Sequence, residues 1–284
     1  MAGGDAYDEL GPLYDVWCAE VVEDIPFWTG LVTSLAHDLG RPRLDVLELG
    51  CGSGRISLTL ARAGHSVTGI DLSNEQLALL TERTAKAGLD GRLETLRGDM
   101  RELATLVSGQ SFDAVLVPFR GMLHVTAERD SVLAAARSVL RPGGVVAFDV
   151  FHPDAEQVAA THDRWIKRRT EPTTRGRWRF DERGRYATAH VDGHTPDELL
   201  LTVDVRCTWS PTRRSSKGAE LPDPGPDEPT RRDAVLQLRL APAASWLTSL
   251  EDAGLVVDGA YGWFDGRPLA ADDDDSIWVA RRAD

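Results

Sequence analysis

Three glycines, two aspartates and two histidines are the residues of this sequence whose type and spacing promise chemistry. In "VLELGCGSGR" (46–55), Gly50, Gly52 and Gly54 occupy every second position behind a hydrophobic run that carries Glu48 near its end. Glycine at such positions permits unusual φ angles and lets a ligand approach the backbone closely. Asp71 stands 17 residues beyond Gly54, in "VTGIDLS", and Asp99 stands in "RGDM" (97–100). An acid closing the second strand of such a unit can accept both hydroxyls of a ribose. A carboxylate at the next strand end, or the backbone beside it, can hydrogen-bond the exocyclic amine of adenine, with Met100 lying against the ring. The G-x-G-x-G spacing is neither the G-x-x-x-x-G-K-[ST] of a phosphate loop nor the G-x-G-x-x-G of a dinucleotide fold. His124 in "PFRGMLH" (118–124) and His152 in "DVFHPD" (149–154) add imidazoles, the side chain whose ordinary pKa suits proton transfer near neutrality.

The elements that must position these residues can be read from hydrophobic periodicity. Residues 7 to 40 read as helices separated at Pro26. "LDVLELG" is a buried strand, "RISLTLARAG" a helix closed by Gly64, and "HSVTGID" a second strand. "SNEQLALLTERTAKAG" is a helix with Ser73 as N-cap, Gln76 in the capping-box position and Gly88 as its stop. "RLETLRGD" and "SFDAVLVPF" are the third and fourth strands. "ERDSVLAAARSVL" is a helix, and "VVAFDVF" is a fifth strand after the turn "RPGG". This alternation predicts a parallel sheet with helices on both faces. From about Asp154 the period becomes two. Leu199, Leu201, Val203, Val205, Cys207 and Trp209 share one face of a strand, as do Ala234, Leu236, Leu238 and Leu240 of another. "RWRFDERGRYATAHV" (177–191) supplies one or two further strands, and the Pro-, Gly- and charge-rich 210–232 a loop. A helix ("APAASWLTSLEDAG") and two strands ("LVVDGAYGWF", "SIWVARR") follow. The expected organisation is an N-terminal helical segment (1–40), a core (41–153), a β-rich insertion (154–240) and a segment that completes the core (241–284).

Taken in order, "LELGCGSG", "GIDLS", "GDM", "FDAVLVPF" and "LRPGGVVAFDV" resemble the successive motifs of the class I S-adenosylmethionine-dependent methyltransferases. The resemblance covers residues 40–153 and again 240–284. It implies an α/β, Rossmann-like seven-stranded sheet, mainly parallel with an antiparallel last strand, plus a small antiparallel β insertion. It further implies S-adenosylmethionine as cofactor and S-adenosylhomocysteine as product. Gly50, Cys51, Gly52 and Gly54 would face the methionine part, and Glu48 would act near its amino group or simply orient the turn. Asp71 with Leu72 would hold the ribose, Asp99 with Met100 the adenine, and the loop containing Phe119 would flank the sulfonium. "YDELGPLYDVW" (7–17) is similar to the start of several small-molecule methyltransferases, with Tyr14 preferred over Tyr7 as the residue reaching the cofactor. His124 is the candidate general base, the alternative being a helix-capping or packing role; His152 is a second candidate. The insertion resembles the sheet that covers the acceptor in amino-sugar and glycine-type N-methyltransferases, where the lid formed by residues 1–40 would close as well. Trp165, Trp178 and Trp209 would either line its pocket or form its core. Methyl transfer needs no metal, so the acids of "ADDDD" (271–275) read as a solvated turn.

The bulk properties restrict the partners. In 284 residues the formal net charge is −13, which opposes general affinity for nucleic acid or an anionic membrane. The locally basic "DRWIKRRTEPTTRGRWRFDERGR" (163–185) is the one stretch that favours an RNA backbone or an anionic acceptor; pairing with the chain's many acids is the alternative. Three dispersed cysteines, Cys18, Cys51 and Cys207, form no disulfide framework or zinc site, and a reducing cytoplasm is the expected compartment. The first ten residues do not form a secretory signal, and no apolar run approaches a membrane span. The reading is therefore a bacterial-type enzyme methylating N or O of a small molecule, with a homodimer left open. The rivals are an RNA methyltransferase, a nicotinamide oxidoreductase, and a cofactor-binding protein of this fold without methyl transfer.

Overall fold

The computed structural model describes residues 4–188, 198–212, 221 and 223–283. Three helices come first, α1 (Gly4–Leu10), α2 (Leu13–Trp17) and α3 (Asp24–Asp38). Strand and helix then alternate through β1 (Asp45–Leu49), α4 (Ser57–Arg62), β2 (Ser66–Asp71), α5 (Asn74–Ala87) and β3 (Leu93–Arg97). The alternation continues through α6 (Leu103–Leu106), β4 (Phe112–Val117), α7 (Arg129–Val139) and β5 (Leu140–Phe151). A short α8 (Ala155–Thr161) leads to β6 (Trp165–Pro172), β7 (Gly176–Thr188), β8 (Leu199–Pro211) and β9 (Arg231–Leu240). Then come α9 (Ala243–Asp252), β10 (Leu255–Tyr261) and β11 (Asp275–Arg282).

Seven strands form one sheet in the order β10-β11-β5-β4-β1-β2-β3. Strands β1 to β5 are mutually parallel, and β11 runs antiparallel between β5 and β10. Every residue of β4 is buried, as a strand covered on both faces requires. Leu47, Leu49, Val115, Val146 and Phe148 pack toward α7 and α9. Val46, Val67, Leu116 and Ala147 pack toward α3, α4 and α5. Chain order reverses beside β1, so the carboxyl ends of β1 and β4 open a crevice at which ligands bind in open α/β sheets.

The remaining strands form an antiparallel sheet in the order β6-β7-β8-β9. Its inner face follows the alternation seen in the sequence. Trp178, Phe180, Val205, Cys207 and Ala234 are buried together with Leu10 and Leu13 of the first two helices. The N-terminal helices are thus wedged between the two sheets.

Four local expectations change. Pro26 lies within the first turn of α3, where a missing N–H breaks no helical bond, and the chain break falls at residues 18–23 instead. "RPGG" is part of β5, with Gly143 at φ +77° and a register shift against β4. Ser73 does cap α5, accepting from Gln76 N at 3.1 Å, but the Gln76 amide does not close a capping box. It donates to Gly11 O at 2.9 Å and ties α5 to the α1–α2 turn. β6 arises from residues that carried no alternation, and 177–188 form the single strand β7; residues 189–191 of that stretch lie outside the described residues, as do 213–220 and 222 of the expected loop.

Candidate active site

The glycine turn is built by folding the end of β1 back over β2. Gly50 N and Cys51 N both donate to Ile70 O, at 2.8 and 3.0 Å. Gly50 and Gly52 take φ of +70° and +52°, which residues with a Cβ rarely adopt. Gly52 N donates to Asp71 Oδ2 at 2.8 Å and Ser73 N to Asp71 Oδ1 at 2.9 Å. The carboxylate is thereby held by backbone, Leu72 included, and its roughly four acceptor sites leave capacity for a further donor. Burial raises the Asp71 pKa, against these backbone hydrogen bonds. Beneath the turn Glu48 is buried and accepts from Ser57 Oγ. Burial pushes its pKa up to about 8, although Ser57 and Arg55 oppose the shift.

A cavity of about 1160 Å³ opens over this turn. Glu48, Gly50, Cys51, Gly52, Asp71, Leu72, Asp99, Met100 and Phe119 all line it, from the ends of β1, β2, β3 and β4. Asp99 is held by Arg101, whose backbone N and guanidinium Nε both donate to it at 2.9–3.1 Å. Burial raises the Asp99 pKa, but the Arg101 hydrogen bonds outweigh it and leave the group below its ordinary value. Gly54 does not reach the cavity. Its Cα faces Leu80 and Leu58, and a Cβ there would lie 2.1 Å from Leu80 Cδ1, so this glycine permits α4 to pack on α5.

Helices α1 and α2 close one side of the cavity. Asp8 of α1 accepts from Ser73 Oγ and, at 3.1 Å, from Glu75 N, beside the N-terminus of α5. Asp15 of α2 accepts from Ser53 Oγ and Arg83 Nη2, both at 2.6 Å. These tethers hold Tyr7 and Tyr14 in the wall, ring centroids 5.1 Å apart and edge to face. Tyr7 Oη lies 2.8 Å from His124 Nε2. Burial, with help from the Arg101 charge, drives the His124 pKa down to about 4, and burial raises Tyr7 far above the ordinary phenol value. At neutral pH both are uncharged, so Tyr7 and His124 form a neutral hydrogen-bonded pair. Tyr14, the tyrosine preferred from sequence, also lines the cavity and bonds to Cys18, while Tyr7 is the partner of His124, whose low pKa departs from that of a base near neutrality. Leu236 and Leu238, from the apolar face of β9 that the alternation marks, add an apolar wall.

Arg55, which follows the last glycine of the turn, pairs with the buried Asp24 of α3 and stacks 4.9 Å from the Phe119 ring centroid. His152 is not among the cavity-lining residues. Trp178 is buried core and Trp209 half-buried beside it, whereas Trp165 lies on the outer sheet face under Arg183 and Arg206. In the basic stretch, Arg168, Arg169, Arg175, Arg179, Arg183 and Arg185 each pair with an acid. In the acidic turn Asp273 pairs with Arg267, Asp275 with Arg120, and Asp274 accepts from Gln157. Among the described residues no cluster of His, Cys, Asp and Glu has the arrangement to hold a metal, and no helix is long and apolar enough to cross a membrane.

The fold is that of the class I S-adenosylmethionine-dependent methyltransferases. Residues 46–144 match the profile of the methyltransferase domain family, and the chain carries that domain. It is 32% identical over 148 residues to the putative methyltransferase YqeM of Bacillus subtilis (strain 168), a match covering 51% of this chain and 55% of the relative. The chain thus spans about half the length of this curated relative. Among solved structures it resembles the CcbJ methyltransferase of Streptomyces caelestis, with TM-score 0.74, 23% identity and all of both chains covered. It also resembles CalS10 of Micromonospora echinaspora, an amino pentose methyltransferase solved with the cofactor bound. There the TM-score is 0.62 and the identity 19%, with 94% of this chain and 92% of the other covered.

Proposed function

We propose that the protein transfers a methyl group from S-adenosylmethionine to a nitrogen or oxygen of a small molecule held against Tyr7 and His124. The observation that carries this reading is that the Tyr7–His124 pair opens into the same cavity as the glycine turn and Asp71. The chain's residues fit the cofactor. Asp71 retains lone pairs for the ribose hydroxyls, Gly50 and Gly52 leave bare backbone for the amino-acid part, and Asp99 and Met100 flank the adenine position. When bound, the cofactor supplies an electrophilic methyl group on a sulfonium. The protein then has to align the acceptor and exclude water. Tyr7 donates its hydrogen to His124 Nε2 and turns its oxygen lone pairs toward the acceptor's N–H or O–H, orienting the acceptor's own lone pair. Helices α1 and α2 and the four-stranded sheet act as the lid and cover that keep this chamber dry.

The wall chemistry supports a small, non-anionic acceptor over RNA. Arg55, Arg83, Arg101 and Arg239, the guanidiniums that line the cavity, are each paired with a carboxylate. A phosphate would find no unpaired cation there among the described residues. The resemblance to an amino pentose methyltransferase agrees with an amine acceptor. The test is incubation with S-adenosylmethionine and panels of amines, alcohols and RNA, read as a mass increase of one methyl. Methylation of an amine or alcohol is expected. Methylation confined to RNA, with salt-sensitive retention on it, would overturn the acceptor class.

A further inference from the structure

The turn after β4 holds two successive non-glycine residues in the left-handed region, Phe119 at φ +57° and Arg120 at φ +61°. Side chains bearing a Cβ disfavour this conformation, so it persists only where surrounding contacts impose it. Those contacts converge on Arg120. Its backbone N donates to Asp149 Oδ2 at 3.0 Å, and its guanidinium pairs with Asp275 at 2.7 Å and stacks 4.3 Å from the Phe151 ring centroid. On the other side Arg55 covers one face of the Phe119 ring, leaving the rest of it to the cavity that Phe119 lines. Asp149, near the end of β5, is only 5% exposed. Its Oδ1 is buried with no hydrogen-bond partner among the described residues. A buried carboxyl with one unsatisfied oxygen opposes folding, so its single engaged oxygen must serve another purpose.

We propose that Asp149 is a positioning residue, clamping the Arg120 N–H so that the left-handed turn presents Phe119 to the methyl-bearing sulfonium of the cofactor. This rests on the cofactor reading above. Burial pushes the Asp149 pKa up to about 7; Arg120 opposes the shift, and Asp24 of α3 and Asp275 of β11 add to it. Arg55, over the Phe119 ring, is also charged and is paired with Asp24. A carboxylate accepts a hydrogen bond more strongly than a carboxylic acid. The clamp therefore tightens as pH rises through about 7.

The test compares calorimetric Kd values for S-adenosylmethionine and S-adenosylhomocysteine. An aromatic wall at the sulfonium favours the cationic ligand over the neutral one. The amino-acid part is common to both ligands, so its titration cancels in the ratio. Phe119→Leu and Asp149→Ala should each reduce the preference for S-adenosylmethionine by about threefold or more. The double variant should lose no more than either single one, because both changes remove the same contact. In the wild type the preference should rise between pH 6 and 8, and in the isosteric Asp149→Asn that rise should shrink to what Glu48, titrating at about 8 in the same cavity, contributes; that arm stands even if the Ala variant does not fold. Equal weakening of both ligands by Asp149→Ala, additive losses in the double variant, or an unchanged pH slope in Asp149→Asn would each overturn the proposal. A wild-type protein that binds neither ligand would refute the cofactor reading itself.

Discussion

Glu48 and His124 both line one cavity, and burial moves both toward their neutral forms, Glu48 up to about 8 and His124 down to about 4. For Glu48 the folded state keeps a proton that the unfolded chain has released, so folding stability declines as pH rises from 4.5 through about 8. Glu48→Gln removes this liability while still accepting from Ser57. Its Tm should exceed that of the wild type by a margin that widens from pH 5 to pH 9, and a constant margin in thermal scans would contradict the burial argument. For the Tyr7–His124 pair, Tyr7→Phe should lower kcat by roughly tenfold, the loss of one orienting hydrogen bond, with S-adenosylhomocysteine affinity unchanged. His124→Asn should restore much of what His124→Ala loses, since the pair works by hydrogen bonding rather than by protonation. A dependence of kcat on a group titrating near 6.5 and abolished in His124→Asn would show a free base instead. The meeting of Asp71 with Gly52 is legible in the sequence because β1 and β2 are neighbouring strands of one β–α–β unit. The Tyr7–His124 pair is not, because 117 residues separate its members and only the packing of α1 joins them.

At the scale of elements, the strand–helix alternation and the period-two strands β8 and β9 can be read from the chain, because each buries a face whose spacing the backbone dictates. β6 escapes such reading: it is an edge strand with most of its side chains exposed, so no apolar alternation marks it. Gly54 shows the same limit from the other side. Its motif position suggests a ligand contact, yet its neighbours are Leu58 and Leu80, and only the packing of α4 on α5 reveals this. Gly54→Ala would force a Cβ into Leu80 at a φ of +91°. A destabilisation of about 2–4 kcal/mol follows from backbone strain plus overpacking. Denaturant unfolding should report it. A loss below about 0.5 kcal/mol would mean that the α4–α5 contact yields easily.

Across the whole molecule, the two sheets and the wedged N-terminal helices surround a chamber whose cationic side chains are already neutralised, and the net charge of −13 points the same way. Six arginines of the basic stretch that suggests RNA are paired with acids, a fact that depends on cross-strand register such as Arg183 opposite Asp204. The central claim is that the cavity over the glycine turn binds the methyl donor and its product through Asp71. Calorimetric titration with S-adenosylhomocysteine tests it most directly, using the wild type, Asp71→Ala and NAD as the competing ligand. The account predicts one-to-one binding of S-adenosylhomocysteine, no comparable binding of NAD, and affinity weakened about tenfold or more in Asp71→Ala, the loss of charge-assisted hydrogen bonds to ribose. Unchanged affinity in a folded Asp71→Ala protein, or preferential binding of NAD, would contradict it.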